Sequence, residues 1–188
     1  MKRIFKNIIS GLAFISSWYY IFLVKLGIPY KHISLITSSI HGYYGISLRR
    51  YFYKRTLIKC GCNLKVHYGA YICYPSVEIG DNCTIEEHSV VSLCSIGNDV
   101  IIAANVSIMS GKNHHEIDDL SKSFYETQSD TLERIFLGDN LWIGTRATIM
   151  ANVSAGTVIG AAALVNKTFE ENSIIAGNPA RVLRKRGM

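Results

Sequence analysis

The chain has 188 residues, which suits one domain of average size, and 48% of them are hydrophobic against 18% charged. That balance excludes a disordered chain. The formal net charge of +6 is a modest basic excess, and no nucleic-acid fold signature accompanies it, so we expect no nucleic-acid partner.

An apolar run of seventeen residues, Ile8 to Val24, lies near the amino terminus between Lys6 and Lys25. As a helix it would extend about 25 Å, slightly less than the bilayer hydrocarbon core of about 30 Å. Two interpretations stay open. In a protein that we expect to be cytoplasmic, the helix either lies at the inner membrane surface, as a peripheral membrane association, or packs on the first turn of the following domain as a cap.

Five cysteines follow the helical region. Their number is odd and no C-x-x-C pair occurs, which argues against a disulfide framework or a zinc cluster. We expect reduced thiols acting as small buried hydrophobes, and no metal. They are Cys60, Cys62, Cys73, Cys83 and Cys94.

From residue 79 onward an aliphatic residue recurs about every six positions. The blocks begin at Ile79, Ile85, Ile96, Ile102, Leu137, Ile143, Ile149 and Ile159. A period of six fits neither an α-helix nor a two-residue strand repeat. It predicts an all-β solenoid, a parallel β-helix with three short faces per coil and with Gly or Asn at the strained corners.

The repeat divides the chain into a helical segment, residues 1–59, and a solenoid, residues 60–188. We expect a second helix around Ser47 to Lys59, before the first coil. A polar stretch, residues 111–134, breaks the repeat and predicts a loop leaving one corner. The chain should end on a last strand, a Gly-Asn-Pro turn and a short basic C-terminal helix.

Several segments resemble the hexapeptide-repeat acyltransferase superfamily. GDNLWIG from Gly138, VIGAAALVNK from Val158 and GNPARVLR from Gly177 resemble GDNVWIG, VIGAGSVVTK and GNPARVIR of its maltose and galactoside acetyltransferase branch. IMSGKNH from Ile108 resembles IMNGANH of its xenobiotic acetyltransferases, and GYYG from Gly42 resembles acetyltransferases of bacterial surface polysaccharides. The resemblance implies a left-handed β-helix, a homotrimer, acetyl-CoA as acyl donor and active sites between subunits.

By the same resemblance His114 is the catalytic base, and a histidine that titrates near neutral pH suits that role. The adjacent His115 is a candidate acceptor contact. Asn105 either hydrogen-bonds an acceptor hydroxyl or occupies a corner in the left-handed conformation.

The resemblance also assigns residues to coenzyme A. Basic side chains on cofactor-facing segments suit its phosphates, corner residues allow its pantetheine arm to approach the backbone, and a tryptophan could line the thioester or simply pack between strands. The candidates are Trp142, Gly144, Thr145, Ala162, Lys167, Arg181 and Arg184. For Arg184 a solvated basic tail is the alternative.

The sequence therefore predicts an acetyl-CoA-dependent O-acetyltransferase that transfers the acetyl group directly to a sugar hydroxyl of a surface polysaccharide or its precursor. A xenobiotic (antibiotic) or free-sugar acetyltransferase is the alternative, and a non-catalytic solenoid that binds a partner is a remote one. A γ-type carbonic anhydrase needs histidines five positions apart, and no histidine lies five positions from His114 or His115.

Overall fold

The computed structural model of the chain describes residues 2–110, 115, 117–127 and 132–188. It begins with helices α1 (Lys2–Lys25), α2 (Tyr30–Ser38) and α3 (Gly42–Thr56). The helix predicted around Ser47 to Lys59 is wrong in its bounds, and α2 was not predicted. The buried side of α2 carries hydroxyl groups, such as that of Ser34, which donates to the Ile72 carbonyl oxygen at 2.8 Å, so no apolar stripe marks it.

Short strands follow the helices. In the described part of the chain they are β1 (Lys59–Cys60), β2 (Lys65–Val66), β3 (Tyr71–Ile72), β4 (Glu78–Ile79), β5 (Thr84–Ile85), β6 (Val90–Val91), β7 (Cys94–Ile96), β8 (Ile101–Ile102), β9 (Ser107–Ile108), β10 (Ile135–Leu137), β11 (Trp142–Ile143), β12 (Thr148–Ile149), β13 (Val158–Ile159), β14 (Leu164–Val165), β15 (Ser173–Ala176) and β16 (Arg181–Lys185).

These strands form the faces of a three-sided coil. The first sheet has the order β1-β4-β7-β10, the second β2-β5-β8-β11-β13-β15-β16 and the third β3-β6-β9-β12-β14. Strands of successive coils pair in parallel, and inward residues stack in register, as Ile85 does on Ile102 and Ile102 on Ile143. The predicted left-handed parallel β-helix with N-terminal helices is confirmed.

The corners use asparagine, aspartate and glycine for different purposes. Asn82, Asp99 and Asn140 have φ between 56° and 58°, a left-handed conformation that short polar side chains tolerate better than most residues. The glycine two positions earlier serves close packing instead, because a Cβ on Gly138 would lie 2.7 Å from the Ala155 nitrogen of the next coil. At these three corners the left-handed conformation is therefore adopted by asparagine or aspartate, as predicted for asparagine, and not by the preceding glycine.

The carboxyl-terminal segment contradicts the predicted short basic helix. Residues Arg181–Lys185 form β16, which pairs antiparallel with β15. An unpaired last strand would leave a row of backbone N–H and C=O groups without partners, and β16 covers them. Lys185 holds this strand in place, since its ammonium contacts the Glu170 carboxylate and the Glu171 carbonyl oxygen, each at 2.8 Å.

A buried arginine joins the helices to the first coil. The Arg49 guanidinium donates to the carbonyl oxygens of Val66 at 2.8 Å, Thr37 at 2.7 Å and Ile40 at 2.8 Å. Burial lowers the pKa of Arg49, and these carbonyl dipoles offset part of the cost of removing its charge from water. Ile21 of α1 belongs to the same continuous core as the coils, and α1 packs mainly against α3.

Candidate active site

An open groove of about 550 Å³ lies on the outward face of the second sheet. It brings together three of the residues expected to hold coenzyme A, namely Trp142, Gly144 and Thr145. The other residues of its lining are Glu86, Ala103, Val158, Ile159, Gly160 and Ala161.

Side chains alternate between the inside and the outside along each strand, and the outward ones form the apolar wall of this groove. In β11 the Ile143 side chain points into the core and is 0% exposed, so the preceding Trp142 points outward and is 57% exposed. Trp142 lies in register between Ile101 of β8 and Val158 of β13. This places a large aromatic surface in reach of a ligand.

The floor of the groove is a row of small residues that runs across the coils. Ala103, Gly144, Gly160 and Ala176 each follow an inward isoleucine of the second sheet, and those isoleucines are in register. The row is tightly stacked, because a Cβ on Gly144 would lie 2.7 Å from the Ile159 oxygen and one on Gly160 would lie 2.7 Å from the Ala176 Cβ. Close stacking of the coils therefore excludes a side chain at both glycines, and this leaves a stretch of the groove lining without long side chains.

The two ends of the row carry opposite charges. Glu86 lines one end of the groove, whereas Ala176 at the other end pairs with Arg181 of β16. At about 4.8 Å between neighbouring strands, the stretch from Ala103 to Arg181 covers about 19 Å. The row can hold an extended ligand whose negative charge lies toward Arg181.

The remaining basic candidates lie in different places. Arg184 is exposed, and its guanidinium donates to the carbonyl oxygens of Lys185 at 3.0 Å and Met188 at 2.8 Å. Its partner in β15 is Ile174, which pairs with Val158 of the groove wall. Lys167 instead lines a separate groove with Glu133 and Asn152, so within one chain it is not brought to Trp142.

The corner residues beside the row are held by backbone contacts. Thr145 donates its hydroxyl to the Ala104 carbonyl oxygen at 2.7 Å. Ala162, one residue beyond the groove lining, has a φ of 56°. Asn105 has a φ of 59° and its N–H donates to the Glu87 carbonyl oxygen at 2.8 Å, so it does adopt the left-handed corner conformation, with its side chain exposed.

Of the two loop histidines, His114 lies outside the described residues. His115 is exposed, and its ring centroid lies 6.3 Å from that of Phe124 in an edge-to-face arrangement. Within the described residues no group of three or more His, Cys, Asp or Glu side chains is arranged to hold a metal ion.

A second cluster of titratable groups lies beside Asn105 and was not found from the sequence. The His67 Nδ1 atom lies 3.0 Å from a Glu87 carboxylate oxygen. The pKa of the Glu87 carboxyl is lowered, mainly because the backbone N–H of Glu87 donates a hydrogen bond to it. The contact with His67 lowers this pKa further. The ring of His88 lies edge-on to Tyr68, with centroids 5.3 Å apart. No spacing in the sequence signals this cluster, because its members come from successive coils.

The thiols are poor candidates for a nucleophile. The five cysteines are free. Burial raises the pKa of Cys60 to about 11 and that of Cys94 to about 12, so both thiols are protonated at neutral pH. This argues against either of these two thiols as the nucleophile of a covalent acyl-enzyme.

No protein-family model matches the sequence, but individual proteins do. The chain is 33% identical over 120 residues to a chloramphenicol acetyltransferase of Escherichia coli, covering 56% of this chain and 55% of that one. It is 30% identical over 152 residues to the galactoside O-acetyltransferase of Escherichia coli K12, covering 74% and 70%. A protein of the same strain, provisionally named a lipopolysaccharide biosynthesis O-acetyltransferase, is 29% identical over 115 residues, covering 56% and 58%.

A solved structure of a galactoside acetyltransferase in complex with coenzyme A superimposes with a TM-score of 0.70 at 26% identity, covering 82% of this chain and 78% of that one. The fold thus defines a left-handed β-helix protein with a groove across the coils of its second sheet. The chain belongs to the hexapeptide-repeat acetyltransferase superfamily. It spans little more than half the length of the chloramphenicol acetyltransferase and of the lipopolysaccharide protein.

Proposed function

We propose that the protein is an acetyl-CoA-dependent O-acetyltransferase that acts on a sugar hydroxyl of a surface polysaccharide or its precursor. The observation that carries this proposal is the groove on the second sheet, which in a member of this superfamily combines an exposed Trp142, a row of small residues and Arg181 at one end.

The groove suits the chemistry of coenzyme A. Trp142 and Val158 form an apolar wall against which the pantetheine arm can pack. The small residues of the groove leave the protein backbone accessible to that arm. Arg181 and Arg184 would contact the phosphates, since guanidinium groups match phosphate oxygens geometrically. Glu86 at the opposite end repels phosphate, so the thioester would lie near Ala103.

The proposed reaction is a direct transfer. His114 would accept the proton of an acceptor hydroxyl while the oxygen attacks the thioester carbonyl carbon. Backbone N–H groups would stabilise the tetrahedral oxyanion. When that intermediate collapses, the carbon–sulfur bond breaks, the ester remains on the sugar, and the CoA thiolate takes up the proton.

The acceptor is proposed from the relatives and from the amino-terminal segment. One relative is named for galactosides and one, provisionally, for lipopolysaccharide biosynthesis. The basic and aromatic segment around Arg50 and Tyr51 would suit a charged glycan carrier. The similarity to chloramphenicol acetyltransferase favours an antibiotic as the second candidate acceptor.

We also propose a homotrimer with sites between subunits. The flat faces of the solenoid expose large apolar side chains, among them Ile101 at 47% and Phe136 at 54%. Burial against a neighbouring copy would remove these side chains from water.

The function is tested by following free thiol release from acetyl-CoA with a panel of acceptors: nucleotide sugars, oligosaccharides, free galactosides and chloramphenicol. We expect release that depends on a saccharide acceptor, with the acetyl ester on a hydroxyl in the product. Release only with chloramphenicol would contradict the sugar proposal. No release with any acceptor, together with no binding of acetyl-CoA, would contradict acetyl transfer altogether.

Arg181→Ala and Arg184→Ala should each weaken coenzyme A binding about fivefold, because both side chains are exposed and solvent-exposed charge pairs contribute up to about 1 kcal/mol. Calorimetric titration measures the effect. Arg186→Ala is the matched control, since its guanidinium donates to the Gly156 carbonyl oxygen at 2.9 Å, at a corner that does not line the groove. Equal losses in all three variants would mean that the strand acts only through its net charge.

A further inference from the structure

Helix α1 exposes an apolar side to solvent, while its inward side combines buried apolar residues, Ala13 and Ile21, with several hydroxyl groups. On the side toward α3, the Ser10 and Tyr51 hydroxyls lie 2.9 Å apart and Tyr44 donates to the Ser16 hydroxyl at 2.7 Å. Ser17 is fully buried. A surface helix of a globular protein normally places polar and charged residues on its outward side.

The outward side of α1 and the turn after it forms one continuous stripe, which we call the outer stripe. Its members follow each other at intervals of three or four residues, so they share one side of the helix, and each is 55–67% exposed. They are Ile4, Ile8, Leu12, Ile15, Tyr19, Phe22 and Leu26. Soluble monomers rarely expose a contiguous apolar patch of more than a few hundred Å², so this stripe calls for a partner.

Charge decides which partner fits. Eleven of the 20 Lys and Arg residues precede Glu78, and none of the 14 Asp and Glu residues does. Lys6 and Lys25 are exposed near the two ends of the outer stripe. Beside it the Arg55 guanidinium lies 5.1 Å from the Trp18 ring centroid. A second copy of this segment would bring like charges together, whereas an anionic lipid surface would attract them.

We propose that the outer stripe docks on the anionic surface of a lipid bilayer, with α1 lying in the plane of the interface. The apolar side chains would enter about 5–10 Å into the boundary between headgroups and acyl chains. Trp18 and Tyr19 are 49% and 60% exposed, and such amphipathic rings favour the headgroup level. The basic residues around them would contact the lipid phosphates.

An orientation across the bilayer does not fit the packing of α1. The helical stretch Ile4–Lys25 is long enough and apolar enough to cross a membrane, judged by length and composition alone. However, α1 is joined to α3 through the Ser10–Tyr51 contact and through Arg55, whose guanidinium lies 4.6 Å from the Phe14 ring centroid. A spanning α1 would draw the charged residues of α3 into hydrocarbon, which is costly. An in-plane helix leaves α3 on the aqueous side.

Vesicle flotation of the purified full chain tests the proposal. The probe is a phosphatidylcholine vesicle with or without phosphatidylglycerol. We expect binding to the anionic vesicles that weakens with added salt, and a partition coefficient at least about tenfold lower for Ile8→Ser/Ile15→Ser/Phe22→Ser, which removes three members of the outer stripe. Serine and isoleucine have similar helix propensities, and circular dichroism checks that the helix persists.

The matched control is Ile117→Ser/Leu120→Ser/Tyr125→Ser, which removes three other exposed apolar side chains and should bind vesicles as the parent does. Equal binding by the stripe variant, or no binding by the parent, would overturn the proposal. The proposal would also be overturned if the parent forms an oligomer without lipid and the stripe variant does not, because the outer stripe would then join copies of the chain. Binding is measured without acetyl-CoA, so failure here leaves acetyl transfer untouched.

Discussion

Replacing His114 with alanine is expected to lower the rate of acetyl transfer by about 10²–10⁴-fold, the range for a general base. The acceptor hydroxyl has a pKa far above neutrality and needs a base in the transition state. The affinity for acetyl-CoA should change by less than about twofold, because the proposed donor groove is lined by residues of the second sheet. Steady-state kinetics with calorimetric titration separates the two effects.

The neighbouring histidine supplies the control for this experiment. His115 is exposed and its ring contacts Phe124, so His115→Ala should leave most of the turnover in place. A large loss in His115→Ala with a small one in His114→Ala would move the base by one residue. Large and equal losses in acetyl-CoA affinity would assign both histidines to donor binding.

Filling the groove is the second change with a large expected effect. Ala161 is exposed and lines the same groove as Trp142, so Ala161→Trp places an indole in the groove without disturbing the interior of the coil. We expect coenzyme A affinity to fall about 10- to 100-fold, since forcing a ligand past a misplaced side chain costs about 1–3 kcal/mol. Equilibrium dialysis with labelled coenzyme A measures the loss.

An alanine in the other groove provides the comparison. Ala151 lines the groove that contains Lys167, and Ala151→Trp should bind coenzyme A as the parent does. If Ala151→Trp loses affinity and Ala161→Trp does not, the donor lies along Lys167 and the assignment to Trp142 is wrong. Thermal unfolding of both variants checks that the coils remain intact.

The sequence allowed the solenoid to be predicted because its core is periodic. Ile85, Ile102 and Ile143 are in register in the structure, and the six-residue repeat marks each of them. The floor of the groove could not be predicted in the same way. Ala103 and Gly144 lie far apart in the sequence, and only the pairing of β8 with β11 makes them neighbours.

Two features of the structure differ from, or are absent from, the sequence-based prediction, and each has a physical cause. Arg181–Lys185 looked like a basic helix, but the open edge of β15 needs a backbone partner, and this requirement outweighs helix propensity. The His67–Glu87 pair joins successive coils at one corner. The six-residue repeat predicts which residues point into the core, but it does not predict which corner side chains meet. Both features depend on tertiary contacts.

The central claim, that the Trp142 groove binds acetyl-CoA, is tested most directly by the emission of that tryptophan. The chain has two tryptophans, so Trp18→Phe leaves Trp142 as the single reporter. We predict a saturable change in emission on titration with acetyl-CoA, with the same midpoint as binding measured by equilibrium dialysis. Saturable binding by dialysis with unchanged Trp142 emission would contradict the groove assignment, and no binding by dialysis would contradict the account as a whole.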